Sequence, residues 1–501
     1  MSLLGLDVGV TGCKAVVFDP GGPMLAQSYR EYALHQPHPG WMERDPGEVW
    51  AAVGTVIREV AAAVPDDPVR AFAISTHGES VVPLDARDRP MGRFISAMDT
   101  RAVAASRFWE ECLGRDRIFA LTGMPLHPMY TINKLMWLRE HAPDIYAQAR
   151  RFVCMADFLF RRFGLPPTMD FSLAARTMAF DPQRLVWCDE ILNLAGLEAA
   201  RLSQTVPAGT VLGEIAPGVA LQLGLPRGTL AVAGGHDQPS GALGCGAVSE
   251  GVAMDSTGTV ECVALASPRL ALDAQLLAAN LPIAAHTAPG MYLVLGWATT
   301  AGALLRWFRD NFAQAEQAEA TRSGRSVYDL ILAQAADEVS PVLVLPHFVG
   351  SGTPKMDPAS KGAVLGLDLT TTRAQFIKGL IDSITYEIKT SVDAMEAAGI
   401  AVRELRAFGG GARSERWLQV KADVLGKPVL AMDITEAPAL GMAILAGTAT
   451  GAFPSVAQGV AQMVRIRRAY DPDPVRHQQY LERFALYSQV YPALAALNHQ
   501  M

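Results

Sequence analysis

The sequence predicts an α/β protein built as two halves of related design that face each other. Three observations predict it. Short apolar runs that read as strands mix with helical runs throughout the first half. A strand, a glycine- and hydroxyl-lined turn and a second strand open the chain, and the same device returns near residue 250. The chain has 501 residues, and at roughly 100–200 residues per domain this leaves room for two large domains or three ordinary ones.

The opening LLGLD is a short apolar run, VGVTG a turn and CKAVVFD a second strand. GGP at 21–23 turns the chain again, and MLAQSYREYAL supplies a third strand. Asp45 before Pro46 reads as a helix cap followed by proline at the first helical position. VRAFAIST at 69–76 reads as a buried strand. GVAMDSTGTVECVAL repeats the opening device, with DVGVTGCKAVV aligned on DSTGTVECVAL. A boundary between 245 and 252 follows, giving halves 1–247 and 248–501. Later, FIKGLIDSITYEIKTSVDAMEAAG predicts a helix ended by Gly399. LRAFGGGARSERWLQVKADVLG predicts strand, glycine turn and helix, and ALGMAILAGTATG a small-residue helix able to pack closely on a neighbour. DPVRHQQYLERFALYSQVYPAL predicts a terminal helix, and no low-complexity linker interrupts the chain.

Half of the residues are hydrophobic, 19% are charged and the net charge is −7. This is the balance of a globular protein with a sizeable core, and it carries no basic footprint for nucleic acid. The six cysteines, Cys13, Cys112, Cys154, Cys188, Cys245 and Cys262, lie far apart without a CxxC pair. That spacing gives neither a zinc site nor a disulfide framework and fits free thiols in a reducing cytosol. The start, MSLLGLDVGV, has no basic stretch and does not read as a signal peptide. No apolar run is long enough to span a membrane. A cytoplasmic enzyme or binding protein is expected.

A phosphate needs backbone N–H donors, hydroxyls and positive charge in a tight turn. The run Asp7-Val8-Gly9-Val10-Thr11-Gly12-Cys13-Lys14 supplies all three. Its plain alternative is a polar hairpin with a charged rim. There is no GxxxxGK[ST] string, so this is not a P-loop. Ser256-Thr257-Gly258-Thr259 reads as a β-turn alone and, paired with the first turn, as the other jaw of a clamp. In LAVAGGHDQPSGALG an acid, Asp237, stands just after an apolar strand and before a small-residue helix. There it is placed to take a proton from a hydroxyl, or equally to cap the helix. His236 has no partners at metal-site spacing and reads as a hydrogen bonder. Gly409-Gly410-Gly411-Ala412-Arg413-Ser414 follows a strand and opens a helix, so a flat ring or phosphate can approach its backbone; it is not GxGxxG.

Together these motifs resemble the FGGY carbohydrate kinases, whose fold is the two-domain actin/hexokinase-like (ribonuclease H-like) pair with an interdomain cleft. The resemblance covers nearly the whole chain in order. LGLDVGVTGCKAVVFD looks like the first phosphate loop, and MYTINKLMWLREH has the family's spacing of Lys, Trp and an acidic–His pair. GGHDQPSGALG resembles the catalytic-aspartate segment and DSTGTVE the second phosphate loop. LPHFVGSGTPKMDPASKGAVLGL is similar to the stretch that gives the family its letters, with PHFVGSGTP in place of the common string. FGGGARSERWLQVKADVLGKPV looks like the adenosine segment and EAPALGMAILAG the helix after it. The resemblance implies ATP as co-substrate and Mg2+, with Asp237 as general base and Asp7 and Asp237 bracketing the metal. It places Thr11, Gly12 and Lys14 at the terminal phosphates, with Gly258 and Thr259 opposite. Gly302 falls near the nucleotide, and Gly410, Gly411, Ala412 and Ser414 at the adenosine. It also implies a small-molecule sugar partner and, as is common in the family, a homodimer.

ISTHGESVVPLD at 74–85 occupies the family's sugar-contact turn. Glycerol kinases carry an Arg-Glu pair there, and here Gly78-Glu79 stands instead, so the arginine is absent. Met129, beside Tyr130, replaces an aromatic that touches glycerol. Both departures disfavour glycerol. The Met-His pair usual in xylulokinases is absent too, although Asp99 and Arg101 match their Asp-x-Arg. GHD and GTVE lean towards fuculokinase-like members. His77, Glu79, Asp99 and Gln238 are expected to hydrogen-bond sugar hydroxyls, with Gly78 and Met129 lining the pocket. The expected acceptor is a ketopentose such as xylulose, or else a deoxyketose or another polyol. The plain alternative for Glu79 is a solvated loop acid. Two other classes share the fold: ATPase-cycle proteins such as chaperones and filaments, and a sugar-binding regulator without turnover. ADP release measured with and without sugars separates them.

Overall fold

The computed structural model describes residues 2–501. Two sheets organise it. The first has six strands, in the spatial order Val211–Glu214, Leu230–His236, Ala71–Thr76, Leu3–Val8, Gly12–Phe18, Met24–Glu31. The second has seven, in the order Ile283–Ala285, Tyr292–Ala298, Glu261–Ser267, Val252–Thr257, Glu404–Gly409, Val429–Met432, Ile466–Tyr470. The opening hairpin pairs Asp7 with Lys14, and its first strand runs parallel to Ala71–Thr76. The later hairpin pairs Thr257 with Glu261, and its first strand runs parallel to Glu404–Gly409. Each sheet continues through one more parallel strand to an antiparallel edge. The duplication seen in the two short motifs therefore extends to both sheets.

Alternation explains why the first sheet is buried on both faces. Leu4, Leu6 and Val8 point to one side, where Val49, Val53, Val56 and Ile57 of the Pro46–Ala62 helix cover them. Asp45 caps that helix, its Oδ1 accepting from the amides of Gly47 and Glu48 at 2.8 and 3.1 Å. Leu3, Val16, Ala71, Ala73 and Val232 point to the other side, against Leu440, Met442 and Ile444. Those three residues belong to the Ala437–Ala449 helix, which comes from the second half of the chain. The sheets divide between residues 236 and 252, but a division at 247/248 cuts through this packing.

That helix and the Asp237–Gly244 helix follow corresponding strands and meet at the centre. They approach so closely that a Cβ on Gly244 would lie 1.7 Å from the Ala437 carbonyl oxygen, and one on Gly441 2.2 Å from that of Ser240. Only glycine permits such an approach. The contact fixes the end of strand Leu230–His236 in one half to the other half.

The Arg373–Ala397 helix starts with a Thr372/Gln375 capping box and passes Gly399 in a left-handed conformation (φ 77°). The terminal helix is Pro474–Asn498, capped by Asp473. Residues 103–202 form a helical insertion around Trp109, Tyr130, Leu135, Phe152 and Ile191, which walls one side of the first sheet's strand ends. No described helix is long and apolar enough to cross a membrane.

Candidate active site

The C-terminal ends of the parallel strands and the two hairpin turns converge on one cleft. In the first turn the Gly9 amide donates to the Gly12 carbonyl at 2.9 Å. Arg44, buried, donates from Nε and Nη2 to the Val10 carbonyl at 2.9 and 2.7 Å. The Tyr32 hydroxyl donates to the carbonyls of Gly9 and Gly12. Protein donors thus take the turn's carbonyls from behind and stiffen it as an anion-facing loop. Thr11 is exposed at its tip. Lys14 is placed differently from expectation: its ammonium pairs with Glu436 at 2.5 Å, across the two halves.

Asp7 and Asp237 both reach this turn. Each has a buried Oδ1 that accepts no hydrogen bond among the described residues. Burial pushes the Asp7 carboxyl up to about 6, partly offset by Ser75 and Lys14. Burial pushes Asp237 up to about 7; the charges of Asp7 and Glu79 add to the rise, and Arg176 opposes it. The His236 ring nitrogen lies 3.1 Å from Asp237 Oδ1. Burial and the charge of Arg176 hold that imidazole neutral, so the contact is not an ion pair. Asp237 is the first residue of its helix, whose N-cap, His236, makes no side-chain cap bond.

The turn at 77–80 is built tightly. Glu79 is buried and has φ 67°, a left-handed conformation that non-glycine residues seldom take. The Lys134 ammonium holds it by donating to the Glu79 carbonyl at 2.9 Å and to the Met129 carbonyl at 2.7 Å. Arg176 pairs with the Glu79 carboxylate and stands 5.1 Å over the Tyr130 ring. Met129 lies beside it, its sulfur 3.8 Å from Arg176 Nη2. Gln238 has a buried Oε1 without a partner and lines a small cavity with Arg176 and His236. The solvated-acid reading of Glu79 is thereby overturned.

Two expected sugar ligands are already spent. Asp99 accepts from the Met42 amide and from Arg101 Nη2 at 2.7 Å each, and from the Arg101 amide and Nε at 2.9 and 2.8 Å. Its four lone-pair positions are filled, so it anchors the 42 and 101 loops instead. His77 uses both ring nitrogens, on the Val8 carbonyl at 3.2 Å and on Ser80 Oγ at 2.7 Å.

On the second half, a cavity of about 340 Å3 is lined by Thr257, Gly258, Thr259, Gly302, Arg306, Tyr328, Gly410, Gly411, Ser414 and Trp417. The Gly302 amide donates to the Gly258 carbonyl at 3.0 Å, and the Ala301 and Ala303 amides to that of Thr259. This seats the Gly302–Phe312 helix on the second turn. A Cβ on Gly302 would lie 2.6 Å from the Gly258 oxygen. Ala412 departs from expectation: it is buried in the apolar core and absent from the cavity wall. Ser414 lines the cavity and caps the Glu415–Leu425 helix. Beneath the second turn lies a charged cluster with no exposure. Lys421 Nζ is 2.5 Å from Asp255 Oδ2, 2.7 Å from Glu261 Oε1 and 2.5 Å from Thr257 Oγ1.

Arg176, Arg44, Lys421 and Tyr328 were not singled out from the sequence. For Arg176 a signal existed: it is the only charged residue in the ten-residue run FSLAARTMAF. A lone arginine in an apolar run asks for a buried partner.

The fold and cleft define a two-domain enzyme with a glycine-lined hairpin turn in each half and two acids, Asp7 and Asp237, each with a buried oxygen that accepts no hydrogen bond. The N-terminal domain of the FGGY family of carbohydrate kinases matches residues 2–244 and the C-terminal domain of the same family residues 253–450. The chain belongs to that family, whose members transfer a phosphoryl group to an alcohol acceptor. A xylulose kinase of Staphylococcus epidermidis is 27% identical over 98% of this chain and 96% of its own length. A gluconokinase of Bacillus subtilis is 28% identical over 90% and 88%. A glycerol kinase of Bordetella parapertussis is 31% identical over 94% and 92%. The structure of a ligand-bound xylulose kinase from Lactobacillus acidophilus superposes with a TM-score of 0.90 at 22% identity, covering 99% of this chain and 98% of that one.

Proposed function

We propose that this chain transfers the γ-phosphoryl group of ATP to a hydroxyl of a neutral ketopentose, with xylulose first. The single observation that carries the reading is Asp237, whose carboxyl sits at the end of a buried strand with an unpaired oxygen and is raised to about 7 by burial. That value suits a base that takes a proton near neutrality. The sugar oxygen bonds to the γ-phosphorus as its proton passes to Asp237, and ADP leaves. The carboxylates of Asp7 and Asp237, each with a buried oxygen that accepts no hydrogen bond, would hold a Mg2+ ion between them. When bound, it supplies charge neutralisation to the phosphates. The 340 Å3 cavity takes the adenosine, with Gly410 open to it and Tyr328 and Trp417 as ring surfaces. The first and second turns take the phosphates from opposite sides. Little covalent help is needed, because phosphoryl transfer depends on alignment, charge and exclusion of water. ADP release measured over a panel of xylulose, fuculose, gluconate and glycerol tests the reading. Release without any acceptor at the same rate points to an ATPase cycle, and binding without release to a regulator.

A further inference from the structure

We propose that Arg176 is a specificity-determining residue that completes, with Glu79, a charge-neutral clamp for adjacent hydroxyls of a neutral sugar. The proposal rests on the kinase reading above and names the acceptor class. The turn 77–80 carries no arginine of its own. Arg176, at the end of the short Phe171–Ala175 helix, brings one in from 97 residues away. Gly78 makes room for it: a Cβ there would lie 2.9 Å from Arg176 Cβ and Cγ.

The guanidinium is under-used by the protein. Nε and one terminal nitrogen face Glu79. The other contacts are with the Tyr130 ring, 5.1 Å below the guanidinium, and with the thioethers of Met124 and Met129, at 3.9 and 3.8 Å. Sulfur is a weak acceptor, so buried N–H groups of a fixed planar fork lack oxygen partners. Both Arg176 contacts fall on Glu79 Oε1, and the Gln238 Oε1 beside Arg176 is buried without a partner. Donors and acceptors thus stand side by side, the pattern a vicinal diol satisfies, since each hydroxyl donates one hydrogen and accepts another. A cavity of about 20 Å3 beside Arg176, lined also by His236 and Gln238, has room for one of the two hydroxyls. A sugar acid is disfavoured twice: Glu79 already neutralises Arg176, and Glu79, Asp7 and Asp237 are acids that repel a carboxylate.

The test is steady-state kinetics on the full chain with xylulose and the other neutral sugars, and with gluconate, at varied ATP. The wild type is expected to prefer the best neutral sugar over gluconate by at least about 100-fold in kcat/KM. Arg176→Met is expected to raise that sugar's KM about tenfold or more and leave the ATP KM within about twofold. Arg176→Lys restores charge without the fork, so it should recover melting temperature but not sugar KM. Where Arg176→Met alone fails to fold, Arg176→Met/Glu79→Gln removes both charges and is read in its place. A sugar KM unchanged in Arg176→Met overturns the clamp while the kinase stands. Turnover of gluconate comparable to the best neutral sugar does the same. No acceptor-dependent ADP release with any compound sinks the kinase reading and the clamp together.

Discussion

The two hairpins place an aspartate at matching positions and use it in opposite ways. Asp7 in the first faces the cleft with an unpaired buried oxygen and a carboxyl raised to about 6. The nearest lysine, Lys14, is drawn off to Glu436. Asp255 in the second also leaves its Oδ1 without a partner, but it is wholly buried and its Oδ2 is held by Lys421 at 2.5 Å. Burial pushes the neighbouring Glu261 carboxyl up, Lys421 pulls it down, and Asp255 raises it further. Burial alone would lower Lys421, but the two acids raise it. A duplicated device has therefore been divided. One jaw keeps its acid unspent for a ligand. The other neutralises its acid from within and offers only backbone, hydroxyl and cavity.

The widest test of that division is at the acid that joins the first jaw. Asp237→Asn should lower kcat by about 100-fold or more, because an amide cannot take the hydroxyl proton. ATP binding measured by calorimetry should be unchanged. A variant retaining more than about a tenth of wild-type kcat would remove Asp237 from the role of base.

The two matched aspartate sites should then fail differently. Asp7→Asn should lower activity at limiting Mg2+ by about tenfold or more without loss of melting temperature. Lys421→Met leaves two buried acids without their cation and should cost about 3–5 kcal/mol of stability, read by denaturant unfolding. If Asp7→Asn unfolds the protein, or Lys421→Met leaves stability untouched, the contrast is wrong.

The glycine turn sharpens the account of the second jaw. A Cβ on Gly411 would lie 2.4 Å from Thr257 Cγ2, within the protein. On Gly410 the nearest such atom is 4.0 Å away, and the residue is exposed to the cavity. Gly410→Val should therefore raise ATP KM about tenfold, roughly 1.4 kcal/mol, with sugar KM and melting temperature unchanged. Gly411→Val should disturb Thr257 and lower stability as well. Equal effects of the two on every readout would place the adenosine elsewhere.

The smallest effect is with pH. Asp237 must be ionised to act, and its carboxyl lies at about 7. At limiting Mg2+ the sugar kcat/KM should rise with pH between about 6.5 and 8, and saturating Mg2+ should move that rise to lower pH. The stability sign is opposite. The folded state keeps this proton up to about pH 7, whereas the unfolded chain loses it near the ordinary carboxylate range. Stability from this group is full below that range and is lost as pH rises towards 7. Asp237→Asn should accordingly melt higher than the wild type at pH 8, and a lower melting temperature there would contradict the unpaired burial.

Local signals carried much of this molecule. Strand, turn and strand at 3–18 and 252–267 are adjacent in sequence, and so is the strand end that presents Asp237. What stayed illegible depends on long-range placement. Arg176 meets Glu79 across 97 residues and Lys421 meets Asp255 across 166, separations that leave no periodicity to read. Asp99 and His77 have suitable chemistry, but Arg101, Met42, Val8 and Ser80 use it up, which composition cannot show. Ala412 follows the glycines that do line the cavity, yet its methyl turns into the core. The small-residue helix at 437–449 was legible as a close packer, while its neighbour, the other half's sheet, was not. The argument against glycerol from the missing arginine also weakens, since Arg176 reaches the same turn from elsewhere.

The most direct measurement counts products. Phosphorylated sugar and ADP are quantified together, by phosphorus NMR, for wild type and Asp237→Asn with the best neutral sugar, ATP and Mg2+. The account predicts one phosphorylated sugar per ADP in the wild type, and loss of both by about 100-fold or more in the variant. ADP formed without phosphorylated sugar, or a variant that makes both at near wild-type rate, would contradict it.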